Sequence, residues 1–104
     1  MLKDPLIGQN QPVPPGVFIK EDILDEFGLT QGDLARRLGV SRRTINDLVN
    51  AKCALTAEMA LRLAKLTGTT PEFWLNSQRA VDIALAERRL HGNLGVIAPL
   101  EPAA

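Results

Sequence analysis

Apolar residues recur at helical spacing in five stretches of this chain, with glycine or proline between the stretches. Phe18, Ile19, Ile23, Leu24 and Phe27 form the first stripe, and Lys20, Glu21, Asp22, Asp25 and Glu26 fill the opposite face. This predicts a helix from about Gly16 to Phe27, ended by Gly28. Thr30 is placed to cap a second helix, with Asp33 three residues on as a short capping box. Its inner face is Leu34, Ala35 and Leu38, and Gly39 breaks it. Ser41 caps a third helix that runs to about Asn50 and turns Ile45, Leu48 and Val49 inward. Thr56 caps a fourth, with a stripe of Met59, Ala60, Leu63, Ala64 and Leu66, ended by Gly68. Thr70-Pro71-Glu72-Phe73 starts a fifth, a cap residue followed by proline at the first helical position. That helix is expected to reach about Leu90, roughly 30 Å at 1.5 Å per residue. Phe73, Trp74, Ser77, Val81, Ala84 and Leu85 lie on its apolar side.

The pattern predicts an all-α fold, a five-helix bundle containing a helix-turn-helix. Residues 1–15 hold Pro5, Pro12, Pro14 and Pro15 and are expected to form a flexible arm ahead of a domain over 16–90, with 91–104 as a tail. Around Leu94-Gly95-Val96-Ile97 the tail suits either strand addition to a partner or a frayed end. The 104 residues make one domain, large enough to fold without metals or disulfides. No apolar run approaches the roughly 20 residues of a membrane span, and no signal-peptide core is visible, so a cytoplasmic protein is expected. The single Cys53 is expected to be a packed small hydrophobe.

Net charge is zero, which alone argues mildly against a nucleic-acid partner, but its distribution changes the picture. Residues 31–52 carry Arg36, Arg37, Arg42, Arg43 and Lys52 against Asp33 and Asp47, a local net of +3, while residues 1–30 carry −3. A local basic patch is what a phosphate backbone needs. The acidic segment reads equally as a face for a basic partner or as a solvated helix surface.

Residues 31–50 meet the demands of a helix-turn-helix together. Ala35 is small enough for close helix crossing, and Gly39 supplies a positive φ four residues later. Val40 plugs the angle, and Ile45 and Leu48 bury the third helix. That burial sends Arg42, Arg43, Asn46, Asp47 and Asn50 outward. Arginine pairs bidentately with guanine and aspartate accepts from cytosine, and the first residues of the second helix are those that reach base edges. Arg42, Arg43 and Asp47, with Asn46 behind them, are therefore the candidates for base reading. Asp47 is equally placed to pair with Arg43. Gln31 and Ser41 sit at helix N-termini that attract phosphate, Thr44 stands beside Ser41, and Asn50 and Lys52 follow the third helix. These five are the candidates for backbone contact.

The stretch QGDLARRLGVSRRTINDLVNAK resembles the helix-turn-helix of the phage-repressor and Cro superfamily. PPGVFIKEDILDEFGLTQGDLARRLGV and LTAEMALRLAKLTGTTPEFWLNSQRAVDIALAE extend the resemblance, over about Pro14 to Glu87, to HigA-type antitoxins of bacterial toxin–antitoxin modules. Its most specific piece is Thr70-Pro71-Glu72-Phe73-Trp74-Leu75-Asn76, with Gln78 behind it. The resemblance implies a homodimer that binds a palindromic operator, represses its own operon and neutralises a small basic HigB-like toxin, an mRNA endonuclease of the RelE type. It places the base contacts on Arg42, Arg43 and Asp47 and the phosphate contacts on Gln31, Ser41, Asn50 and Lys52. Two departures stand out. Pro14-Pro15-Gly16-Val17 replaces the common His-Pro-Gly-Glu, and Asn50-Ala51-Lys52 replaces Asn-Gly-Lys. A slightly different loop is expected at Ala51, because a positive φ there strains alanine by roughly 1 kcal/mol. Trp74 suits core packing better than a partner contact. Dimerisation is expected on the fifth helix and the adjoining tail.

Catalysis finds no support: no phosphate loop, metal-ligand cluster or nucleophile elbow appears, and no cofactor is expected. A stand-alone helix-turn-helix regulator without a toxin is the alternative. A helical adaptor that has lost DNA binding is a weaker third reading, disfavoured by Arg42, Arg43 and the local charge.

Overall fold

Pro15 opens the first helix of the computed structural model, which describes residues 11–103. Most of the expected N-terminal arm, residues 1–10, lies outside the described residues. Proline suits a first turn because its missing N–H has no intrahelical partner there. This helix, α1, begins as an α-helical turn (Pro15–Phe18), winds on without a break as a π-helix (Ile19–Asp25) and closes with Glu26 and Phe27. Then follow α2 (Gln31–Leu38), α3 (Arg42–Val49), α4 (Ala57–Thr67), α5 (Pro71–Arg89) and a single 3-10 turn (Leu94–Val96). The described residues thus hold five principal helices and no strand, the all-α architecture expected. No helix among them is long and apolar enough to cross a membrane.

The helices start where their polar caps stand. Thr30, Ser41, Thr56 and Thr70 each accept a hydrogen bond from the backbone N–H three residues on. Each bond satisfies a donor that the helix itself leaves unpaired. Ile19, Leu34, Ile45 and Leu63, one from each of α1 to α4, are fully buried and form the centre of the core. Trp74 closes it from α5 at 2 % exposure, in edge-to-face contact with Phe18 and Phe73. Its indole N–H donates to Thr69 Oγ1 at 3.0 Å, so the one polar atom of the ring is satisfied.

Two tight links hold the bundle around α3. Gly16 lies against the C-terminal end of α3, where an added Cβ would meet Leu48 O at 2.2 Å and Val49 O at 2.8 Å. Only glycine permits that approach. Gln78 Oε1 accepts from the buried Leu55 N–H at 2.8 Å, while its Nε2 donates to Asp82 at 2.9 Å. The loop after the helix-turn-helix is thereby tied to α5. The preceding residue, Ser77, donates its Oγ–H to Val13 O at 2.6 Å and ties down the segment leading into α1.

Several expected core positions are not buried. Phe27 is 70 % exposed. A π-helix closes its hydrogen bonds at i→i+5 and turns less per residue than the 3.6 periodicity assumes, so Phe27 drifts off the stripe that holds Ile19, Ile23 and Leu24. The Lys20–Asp25 ion pair, 2.9 Å across five residues, reflects the same wide winding. Leu66 and Phe73 are also exposed, beside Phe27 in a groove between α1, α4 and α5. Leu85, Ile83 and Leu90 are exposed because no element among the described residues covers the second half of α5. Cys53 is exposed rather than packed, and partial desolvation and the Asp47 carboxylate push its thiol up, away from the reactive thiolate.

Candidate nucleic-acid interface

The geometry of the candidate interface starts with the cap of α2. Thr30 Oγ1 accepts from Asp33 N at 3.0 Å, and Asp33 Oδ2 accepts from Thr30 N at 3.0 Å, a complete capping box. The Thr30 N–H and the Thr30 hydroxyl beside the carboxyl, with Arg36 and Arg37 nearby, hold Asp33 below the usual carboxylate range. Arg36 also pairs directly with Asp33. At the other end Gly39 takes φ 73°, and the N–H groups of Gly39 and Val40 return to Arg36 O and Ala35 O. Arg62 on α4 donates to Leu38 O at 2.7 Å and to Glu58 at 3.0 Å, which satisfies a terminal carbonyl of α2 and braces the turn. No local pattern in the sequence signals Arg62, because its partner lies 24 residues away.

Ser41 starts α3. Its Oγ accepts from Thr44 N at 3.0 Å and lies 2.9 Å from Thr44 Oγ1. Ile45 and Leu48 are buried and Val49 is half-buried. The opposite face carries Arg42 and Arg43, both exposed, then Asp47 one turn on and Asn50 and Lys52 past the end. Arg43 Nε stands 3.7 Å from Asp47 Oδ2, so the intrahelical pair anticipated for Asp47 is present, though loose and exposed. Such a pair contributes little in water and leaves both groups free to exchange partners.

Asn46 is more committed than its neighbours. Its Nδ2 donates to Gln31 Oε1 at 3.1 Å, a half-buried link from α3 to the first residue of α2. Asn50 Nδ2 donates back to Asn46 O at 3.0 Å. Nine residues expected at the interface therefore fall into one connected surface. Arg42, Arg43, Asp47 and Lys52 project from it, Gln31 and Asn46 are joined across the crossing, and Ser41, Thr44 and Asn50 also serve α3's own ends.

The loop after α3 corrects one expectation. Ala51 takes φ 55°, the left-handed conformation, instead of a modified turn. Its N–H donates to Leu48 O at 3.2 Å and that of Lys52 to Asp47 O at 2.8 Å, the two bonds of a Schellman ending. The hydrogen bonds outweigh the strain of the alanine, and Lys52 leaves α3 along the path a glycine would have set.

A helix-turn-helix family model matches residues 19–74, which span α1 to the start of α5. Antitoxin HigA-1 of Vibrio cholerae serotype O1 is 39 % identical over 92 residues, covering 88 % of this chain and 87 % of that protein. Among solved structures, the Pseudomonas aeruginosa antitoxin HigA with the higBA promoter is 34 % identical, covers 88 % of this chain and 100 % of its own, and superposes with a TM-score of 0.82. Antitoxin GraA in complex with its operator is 36 % identical, with 98 % and 100 % covered and a TM-score of 0.80.

Proposed function

The chain belongs to the helix-turn-helix family and, within it, to the HigA-type antitoxins, and from that premise we propose that it is an antitoxin that represses its own operon by sequence-specific DNA binding as a dimer. The observation that carries the DNA-binding part is the outer face of α3. Arg42 and Arg43 stand exposed in its first turn while Ile45 and Leu48 anchor its back. A recognition helix must be rigid to read bases, and α3 is held by Gln31–Asn46, by Gly16 against its C-terminus and by the Arg62-braced turn. The relatives solved with promoter or operator DNA present the same fold to that partner.

In this reading Arg42, Arg43 and Asp47 read base edges in the major groove, and Asn46 supports them from its link to Gln31. Gln31, Ser41, Thr44, Asn50 and Lys52 contact the backbone and set register. Two copies place two α3 helices about 34 Å apart, one turn of DNA. The uncovered side of α5 that carries Ile83 and Leu90, seven residues and two turns apart, is the surface we assign to that dimer. The second partner is a HigB-like toxin, an mRNA endonuclease, which the chain neutralises by binding; the chain itself is not an enzyme and works in the cytoplasm.

The test is a pair of substitutions. Arg42→Ala is expected to cost roughly 1–3 kcal/mol at the operator and to relax sequence preference. Lys52→Ala is expected to weaken operator and random DNA about equally and to flatten the salt dependence. Quantitative band-shift titrations on both DNAs read the difference. Parent-like discrimination by the Arg42 variant overturns the base-reading assignment.

A further inference from the structure

On the side of the molecule lined by α1, α4 and α5 lies a groove of about 490 Å³. Phe18, Phe27, Leu29, Leu66, Phe73 and Trp74 supply its apolar lining. Phe27 is 70 % exposed, Phe73 42 % and Leu66 37 %, a concentration of large apolar side chains that a chain of this size does not leave in water without use. The aromatic floor is rigid, since Phe18, Phe73 and Trp74 pack edge to face at 5.2 to 6.3 Å. The π-helical winding of α1 is what turns Phe27 outward, and such windings recur at functional sites.

Charge selects the occupant. The solvent face of α1 carries Glu21, Asp22, Asp25 and Glu26 against Lys20 alone, which Asp25 already engages. Glu21, Asp22 and Glu26, with Glu72 beside Phe73, make no ion pair among the described residues. Asp22 and Arg37 are the two charged residues that line the groove itself. These two offset each other, and the acidic excess lies on the exposed α1 face that borders the groove, so a chain that buries an apolar anchor here gains from Lys or Arg set over that face. None of the nine residues assigned to DNA lines the groove.

We propose that this groove is the docking site for a basic protein partner, which seats an apolar side chain against Phe27, Leu66 and Phe73 and sets its flanking cations against Asp22 and Glu26. It deepens the antitoxin reading and rests on it, because that reading supplies a second protein for the site to hold. The DNA face stays free while the groove is filled.

The experiment titrates the full-length chain with a purified HigB-like toxin, the partner the proposed function assigns to it, by calorimetry, alongside operator binding and light-scattering mass. Phe27→Glu is expected to weaken that complex about 30-fold or more, as loss of a central aromatic contact does. The Asp22→Lys, Glu26→Lys double variant is expected to weaken it about 10-fold at low salt, and the deficit shrinks as salt is added. Both variants should melt and bind operator as the parent does, since all three positions are exposed and away from α3. Parent-like affinity in both variants overturns the groove assignment while leaving the antitoxin reading in place. A parent that binds its operator but not the toxin overturns the antitoxin reading, and this inference with it. A Phe27→Glu variant that falls from dimer to monomer means a second copy occupies the groove, and also overturns the proposal.

Discussion

Ala51 stands where a helix ending with these hydrogen bonds ordinarily carries glycine, and it adopts φ 55°. Left-handed backbone strains an alanine by roughly 1–2 kcal/mol, and glycine gives part of that back as lost unfolded-state freedom. Ala51→Gly is therefore expected to stabilise the fold by about 1 kcal/mol, which raises the melting midpoint by about 4–8 °C for a domain of this size. Thermal unfolding checks it, and an unchanged or lower midpoint contradicts the strain. Asp33 makes the second residue-scale prediction. Its carboxyl is held low by the Thr30 hydrogen bonds and by the two arginines, so its folded pKa lies below its unfolded one. Its contribution is full above the ordinary aspartate range and disappears as the pH falls through the depressed folded value. Asp33→Asn should remove that part of the acid sensitivity, read as a flatter fall of stability with decreasing pH below about 4.

At the scale of elements, the helix starts were legible because a cap is local: a Thr or Ser and the N–H three residues later lie on one short stretch of chain. Gly39 and Gly68 were legible for the same reason. The winding of α1 was not, because every stripe drawn at 3.6 residues assumes an α-helix, and a π-helix carries Phe27 away from Ile23 and Leu24. The partners of Arg62, Gln78 and Gly16 were hidden too, since their contacts join α4 to α2, α5 to the Leu55 loop and α1 to α3. Nothing in a local pattern marks them, although Gln78 belongs to the segment that carries the resemblance. These long links predict that the position of α3 depends on remote residues. Gly16→Ala drives a Cβ into Leu48 O and Val49 O and is expected to cost roughly 1–3 kcal/mol of stability. Gln78→Leu leaves the buried Leu55 N–H without an acceptor and is expected to cost about 1–3 kcal/mol. Urea unfolding measures both, and a parent-like midpoint in either variant contradicts the link concerned.

At the scale of the whole molecule, a chain with no net charge carries +3 on residues 31–52 and −3 on residues 1–30. Total charge thus hides two surfaces of opposite sign, one suited to phosphate and one to a basic protein. Helical periodicity drew the nine candidate DNA residues together and the resemblance pointed to the fifth helix for dimerisation, but neither could show the groove, which exists only after the helices pack. Ile83→Lys on α5 is expected to convert dimer to monomer and to weaken operator binding far more than random-DNA binding, because two tethered α3 helices gain from a palindrome and one does not. The central claim is most directly tested by titrating the purified protein against its own upstream DNA, with random DNA as competitor, over a range of salt. The account predicts a dimer on an inverted repeat, bound at least about 1,000-fold tighter than random sequence and weakening steeply with salt. Binding no tighter than to random DNA contradicts it.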